Sequence, residues 1–293
     1  MSLADILTAL AVVAIWGVNF VVIKIGLSDL PPVLFTALRF LCAALPLVFF
    51  VPRPRAAWHL VAAYGLFQFA LQFTLLFTGI KLGLPAGLAS LVIQLQAFFT
   101  IGLAVLMLGE RPRGFQLAGA LVAFAGMALV AAKLEGQATL AGFVLVVAAG
   151  LCWALANITT RKMGTVSALS LVVWGSLIAT PPLFVASLLM EGVGAWRQAA
   201  ASFSLVTLGA VLFNAYPNTI LGFGVWSMLI RRYAAATVAP FTLLVPVAGM
   251  VSAALVLGEP LQWWKIAAGL LVLSGLALNQ FGPRILARLR AAP

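Results

Sequence analysis

Charge is what this chain has least of: six acidic residues and one histidine in 293 positions. Acid–base catalysis needs titratable side chains held close together. Asp29, Glu110, Glu135, Glu191 and Glu259 stand at connections between apolar runs, and Asp5 stands at the very start, so no buried carboxylate pair is available. Cysteine is equally scarce. Cys42 and Cys152 both fall inside apolar runs, which excludes a disulfide framework and marks them as small core residues. His-Glu-x-x-His, Gly-x-Ser-x-Gly and P-loop motifs are all missing, so the sequence predicts no enzyme, no metal or other cofactor, and no ATP-driven pump in its own right.

Charged residues make up 8% of the chain and hydrophobic ones 64%, too little charge to cover a water-facing surface. The main solvent is therefore lipid. Apolar runs of about 20 residues, enough to span the hydrocarbon core as a helix, follow one another almost without pause. They are Ile6–Ile23, Val33–Val51, Leu60–Ile80, Ala86–Leu108, Phe115–Ala132, Ala141–Thr160, Leu169–Met190, Leu205–Leu229, Ala235–Leu257 and Ile266–Phe281. The sequence predicts an all-α polytopic membrane protein of ten helices. No basic start precedes the first run, so it reads as a retained helix rather than a cleaved leader.

One unit occurs twice. Ala104-Val105-Leu106-Met107-Leu108-Gly109-Glu110 recurs as Ala253-Ala254-Leu255-Val256-Leu257-Gly258-Glu259. The register continues downstream, Ala118 with Ala267 and Gly126 with Gly275, and upstream to Ala86 with Ala235. Trp16 aligns with Trp153, and Pro46 with Pro182. Each half holds five spans, an odd number, so the second runs through the membrane inverted relative to the first. Repeats of this kind most often build transporters with the substrate between the halves. The expected division is 1–134, 138–283 and a basic tail over 284–293.

The formal charge of +11 is a topology signal, not a nucleic-acid footprint. Arg53, Arg55, Arg111, Arg113, Arg161, Lys162, Arg231, Arg232, Arg284, Arg288 and Arg290 fall in alternate connections or the tail. Lys24, Lys81, Lys133, Arg197 and Lys265 fall on the other side. The positive-inside rule then puts both termini in the cytoplasm, and the basic tail near anionic headgroups.

Trp16-Gly17-Val18-Asn19-Phe20, Ala37-Leu38-Arg39-Phe40 and the paired Leu-Gly-Glu turns resemble the EamA-type members of the drug/metabolite transporter superfamily. The resemblance covers nearly the whole chain and implies ten helices in two inverted repeats that move small metabolites, often outward. Within that superfamily the chain is most similar to bacterial exporters of aromatic and other amino acids. It departs from the family at Ala97, where a mid-span proline is common; the repeat partner is Pro246. A mechanism needing a matching break in both halves is thereby put in question.

Polar residues at membrane depth need a reason, because burying them in lipid is costly. Asn214, Tyr216 and Asn218 surround Pro217 in the eighth span, where proline frees a carbonyl one turn back. Gln68 and Gln72 repeat the four-residue spacing in the third span, with Phe73 and Phe77 beside them. Trp16 with Asn19, and Trp153 with Asn157, add an aromatic and an amide in each half. These residues are expected to line a cavity that stacks an apolar group and bonds a polar one; the competing reading is amide glue between helices. Gln94 joins them, whereas Gln96, about 200° away on a helix, is expected to face a neighbour. Arg39 is the one cation deep in a span. It meets a substrate carboxylate or caps helix carbonyls and snorkels, and the recurrence of Ala-Leu-Arg-Phe across the family favours the structural role. Glu110 and Glu259 are expected to serve helix N-termini.

Together these features predict a secondary carrier of small metabolites, amino acids foremost, in a bacterial inner membrane. A monomer suffices for this, and small substrate and lipid are the only partners required. A nucleotide-sugar or sugar-phosphate exchanger ranks lower, because doubly anionic phosphates would want more than one deep cation. A channel or scaffold is the alternative from another class.

Overall fold

A computed structural model describes residues 1–133, 139–233 and 235–291, with side chains from Pro283 onward and at Arg231, Ala235 and Ala236 outside the description. Glu135 and the arginines of the basic tail thus lie outside the described side chains. Among the described residues ten helices are long and apolar enough to cross a membrane. They are α1 (Leu3–Asp29), α2 (Pro32–Phe49), α3 (Trp58–Lys81), α4 (Ala86–Leu108), α5 (Gly114–Ala132), α6 (Leu140–Met163), α7 (Ala168–Met190), α8 (Leu205–Ile230), α9 (Ala239–Leu257) and α10 (Trp263–Gly282). One further helix, Gly192–Ala201, links α7 to α8. It escapes a reading based on apolar length because its sequence is short and mixed.

Large apolar side chains stand exposed around the outside, among them Leu106, Leu121, Leu189, Leu205 and Leu255. In water they would be a liability; in lipid they are the expected surface. Inside, the packing obeys the duplication. Helix α1 lies against α8 and α9, and its counterpart α6 lies against α3 and α4. The helices α2 and α7 pack on each other, as do α5 and α10. A two-fold relation between inverted halves produces this pattern, because each helix meets the partner of whatever its own partner meets.

The α5–α10 crossing shows how small residues permit it. A Cβ on Gly119 would strike the Gly275 carbonyl, and one on Gly126 would strike that of Ala268. In the repeat register, Gly119 corresponds to Ala268 and Gly126 to Gly275, so the two contacts are copies of one another. Without a hydrophobic force between helices in lipid, such close backbone approach supplies the packing.

Four helices are irregular, and the irregularities pair up. Both α3 and α8 carry π-type turns, over Leu66–Leu71 and Asn214–Leu221. Both α4 and α9 contain 3₁₀ stretches, Ile93–Leu95 and Ala239–Leu244. The second pair corrects the expectation drawn from Ala97. The fourth helix breaks at the position matching its repeat partner without any proline, since a 3₁₀ turn tightens the backbone and needs no missing N–H.

Three carboxylates tie the halves on the face away from the termini. Glu191 accepts from the Val33 and Leu34 amides at 2.7 and 3.0 Å and from Ser187 Oγ at 2.6 Å. Glu259 accepts from the Ala86 and Gly87 amides at 2.8 and 3.1 Å. Asp29 accepts from the Thr207 hydroxyl. On the face carrying the termini, Asp5 accepts from Tyr233 at 2.5 Å and pairs with Arg232 at 3.2 Å. Glu110 pairs with Arg161 at 2.6 Å. Apart from the local Ser187–Glu191 bond, every one of these contacts runs from one half to the other.

Candidate functional site: a cavity between the halves

Midway through the bundle a cavity of about 260 Å³ opens between the halves. That is slightly below the usual range of about 300–1,000 Å³ for drug-sized ligands, so its occupant is small. Helix α1 contributes Trp16, Asn19 and Phe20, and α3 contributes Gln68, Gln72, Phe73 and Leu76. Ile93, Gln94 and Gln96 come from α4 and Trp153 from α6; Asn218, Phe223 and Trp226 come from α8, and Thr242 and Val245 from α9. A second space of about 280 Å³ shares Gln94, Gln96 and Thr242 with the first and runs to Asn279 and Gln280, near the end of α10. The continuation therefore leads toward the face bearing the termini. Toward the other face, Leu27, Leu30, Leu34, Leu84, Ala86 and Leu88 are fully packed.

The walls alternate rings and amides. Trp16 donates its indole N–H to the Asn218 carbonyl at 3.1 Å, a bond from one half to the other. Its ring sits 5.1 Å from Trp226 and 5.8 Å from Phe223, distances at which tilted rings attract. Gln68 donates to Gln72 at 2.8 Å across one turn of the bulged α3. The Asn19 side-chain oxygen is buried and has no partner among the described residues.

Seven of the residues singled out from sequence line this cavity: Trp16, Asn19, Gln68, Gln72, Gln94, Trp153 and Asn218. Four do not. Tyr216 points the other way, 37% exposed beside Pro217 on an outer groove, with its hydroxyl donating to the Leu45 carbonyl. Two residues from Asn218, it falls on the opposite side of the helix. Asn214 is fully buried and donates to the Ala210 carbonyl at 3.0 Å, so its amide is spent on its own helix. Asn157 donates to Gln96 and Thr100, both at 3.0 Å, which is the amide-glue reading. Phe77 is buried against Phe35, with ring centroids 4.9 Å apart.

Gln96 bonds a neighbour as expected, accepting from Asn157, and also reaches the cavity. The 3₁₀ turn before it advances about 120° per residue instead of 100°, so Gln94 and Gln96 come about 120° apart and both flank the opening. The residues missed by sequence were within reach of the repeat register. Thr242 matches Ile93 and Val245 matches Gln96, so the wall of one half lists candidates in the other.

Arg39 is 1% exposed. Its Nη2 donates to Thr219 Oγ1 at 2.7 Å and to the Asn214 carbonyl at 3.3 Å. The guanidinium carbon lies 4.2 Å from the Phe73 ring centroid and 4.6 Å from that of Phe40, within cation–π range. Arg39 thus fastens the π turn of α8 and does not snorkel. Glu259 serves a helix N-terminus as expected, but that of α4 rather than of the helix following it. Glu110 serves none and pairs with Arg161.

Two inverted five-helix halves around a central aromatic and amide-lined cavity define a membrane transporter. The chain belongs to the EamA-like transporter family, whose model matches residues 3–132 and 140–281, once per half. It is 44% identical to the "Probable amino-acid metabolite efflux pump" of Salmonella typhimurium and equally to that of Escherichia coli, each over 97% of both chains. A "Probable terminal-alkyne amino-acid exporter" of Streptantibioticus cattleyicolor is 29% identical over 100% of this chain and 98% of its own. A crystal structure superposes with a TM-score of 0.64 at 19% identity, covering 98% of this chain and 99% of the other, which is a likeness of fold.

Proposed function

We propose that this protein exports amino acids and related metabolites, aromatic ones included, across the bacterial inner membrane by alternating access. The observation that carries the reading is the cavity wall, where Gln68, Gln72, Asn19 and Asn218 stand among Trp16, Trp153, Trp226 and Phe223. Amides bond a backbone-like polar group, and rings hold an apolar side chain. The family and the names of the 44% identical relatives support amino acids as the substrate class.

The halves, taken as 1–134 and 138–283, rock about the site. The lopsided distribution of Lys and Arg places both termini and the basic tail in the cytoplasm. On that assignment the cavity, continuous with the space leading to Gln280, is in its inward-facing state. The substrate gradient sets direction, because no carboxylate among the described residues lines the cavity.

The test is counterflow in proteoliposomes loaded with a mixture of L-amino acids. Saturable, stereoselective exchange is the expected result; non-saturable flux would mean a channel. Asn218→Leu, at equal abundance in the membrane, is expected to reduce exchange at least about tenfold, the cost of one lost hydrogen bond to a charged group. Normal exchange by that variant would remove the cavity from the transport path. Accumulation driven by an imposed pH gradient, and abolished by Asp5→Asn, would show instead that a proton is carried.

A further inference from the structure

A guanidinium buried to 1% exposure has surrendered its hydration, which costs several kcal/mol unless other groups replace it. Arg39 has replaced only part. Among the described residues its Nε and Nη1 have no hydrogen-bond partner, and no carboxylate lies within ion-pair distance. Its two acceptors, Thr219 Oγ1 and the Asn214 carbonyl, are neutral and share Nη2 alone. Fastening the turn of α8 therefore explains one nitrogen and leaves two. An ammonium would have held that turn as well; a five-donor fork has spare capacity.

Phe73 shows where that capacity is needed. The same ring lines the cavity and lies 4.2 Å from the Arg39 guanidinium carbon. One aromatic side chain therefore separates the cation from the cavity. On the cavity wall, Asn19 carries a buried side-chain oxygen that also lacks a partner. An orphan acceptor lines the cavity, and a pair of orphan cationic donors lies one ring behind its wall. Their chemical complement is a zwitterion, with an ammonium for Asn19 and a carboxylate for Arg39.

We propose that Arg39 is the carboxylate anchor of the transport site, reached when the Phe73 ring turns aside. The inference rests on the amino-acid reading above and adds the group that the substrate must carry. Entry of the carboxylate exchanges a cation–π contact for a charge-assisted hydrogen bond from a free guanidinium N–H, which is the stronger of the two. A single anchoring cation selects one negative charge, so dianionic phosphates are poor ligands.

The experiment compares each of the twenty L-amino acids with its methyl ester for binding to purified protein. Wild type is expected to prefer acid over ester by tenfold or more for every amino acid it binds. Arg39→Gln is expected to abolish that preference, while Arg39→Lys retains part of it. The ratio of acid to ester is read on folded protein, so a loss of stability alone does not change it. Where Arg39→Gln does not fold, Phe73→Ala serves: it changes the wall for acid and ester alike, and clearing the ring should in addition raise the acid-to-ester preference severalfold. Equal binding of acid and ester by wild type, or equal shifts of both in Phe73→Ala, would overturn the role of Arg39 and leave the amino-acid reading standing. Binding of none of the twenty would overturn that reading, and this one with it.

Discussion

Two turns of nearly identical sequence sit on opposite faces of this molecule and do different things. Gly109 and Gly258 both adopt left-handed backbone, with φ of 68° and 66°, and each ends a helix in the same way. The glutamates that follow part company. Glu259 crosses to the other half and takes the first amides of α4. Glu110 lies on the surface and holds Arg161, both side chains about half exposed, at 48% and 47%. Local sequence therefore dictates the turn, and the state of the surrounding face dictates the partner. On the face of Glu259 the carboxylate meets amides at the start of a packed helix; on the face of Glu110 it meets an exposed cation of the other half.

The sharpest way to break this comparison is to release the packed face. Glu191→Ala combined with Glu259→Ala removes five hydrogen bonds between or beside the halves, each to a charged group worth about 1.5–3 kcal/mol when well formed. A cysteine placed at Leu88, 1% exposed in the packed face, should then react with an impermeant thiol reagent added from that side. Unchanged protection would mean that apolar packing alone keeps the face closed.

A smaller effect is expected from Asp5→Asn. Its side chain is 8% exposed and binds both Tyr233 and Arg232, but Arg232 is 63% exposed, so solvent screens the ionic part. Thermal unfolding in detergent should show a small loss of stability, carried mainly by the tyrosine bond. Smallest of all is Glu110→Gln. An exposed pair contributes about 0–1 kcal/mol, so unfolding should hardly move. A large loss would show that the Glu110–Arg161 pair closes its face as Glu259 closes the other.

Much of this was legible from the chain. Ten spans, the duplication and the opposed halves follow from apolar length and from the recurring Leu-Gly-Glu turns, and the limits of α1 shift from Ile6 to Leu3 at one end and from Ile23 to Asp29 at the other. The cavity was legible where a regular helix carries it, as with Trp16 and Asn19 on α1. It blurred where the backbone departs from 3.6 residues per turn. Asn214 spends its amide on the Ala210 carbonyl beside the π turn of α8, and the 3₁₀ turn of α4 brings Gln96 to the cavity. Periodicity arguments assume constant rotation, and the helices that build the site are those that break it.

The carboxylates that join the halves also carry information about the order of assembly. Asp5 is made well before its partners: Arg232 follows 227 positions later and Tyr233 one after that. Asp29 and Glu110 likewise wait for Thr207 and Arg161. Conversely, the amides that receive Glu191 and Glu259 are threaded into the membrane long before either glutamate exists. A first half released alone would thus leave three acids and two helix starts unanswered, all at its edges. Such a fragment would be recognisable to a quality-control protease as an unfinished protein, and its lifetime would measure how soon the second half arrives.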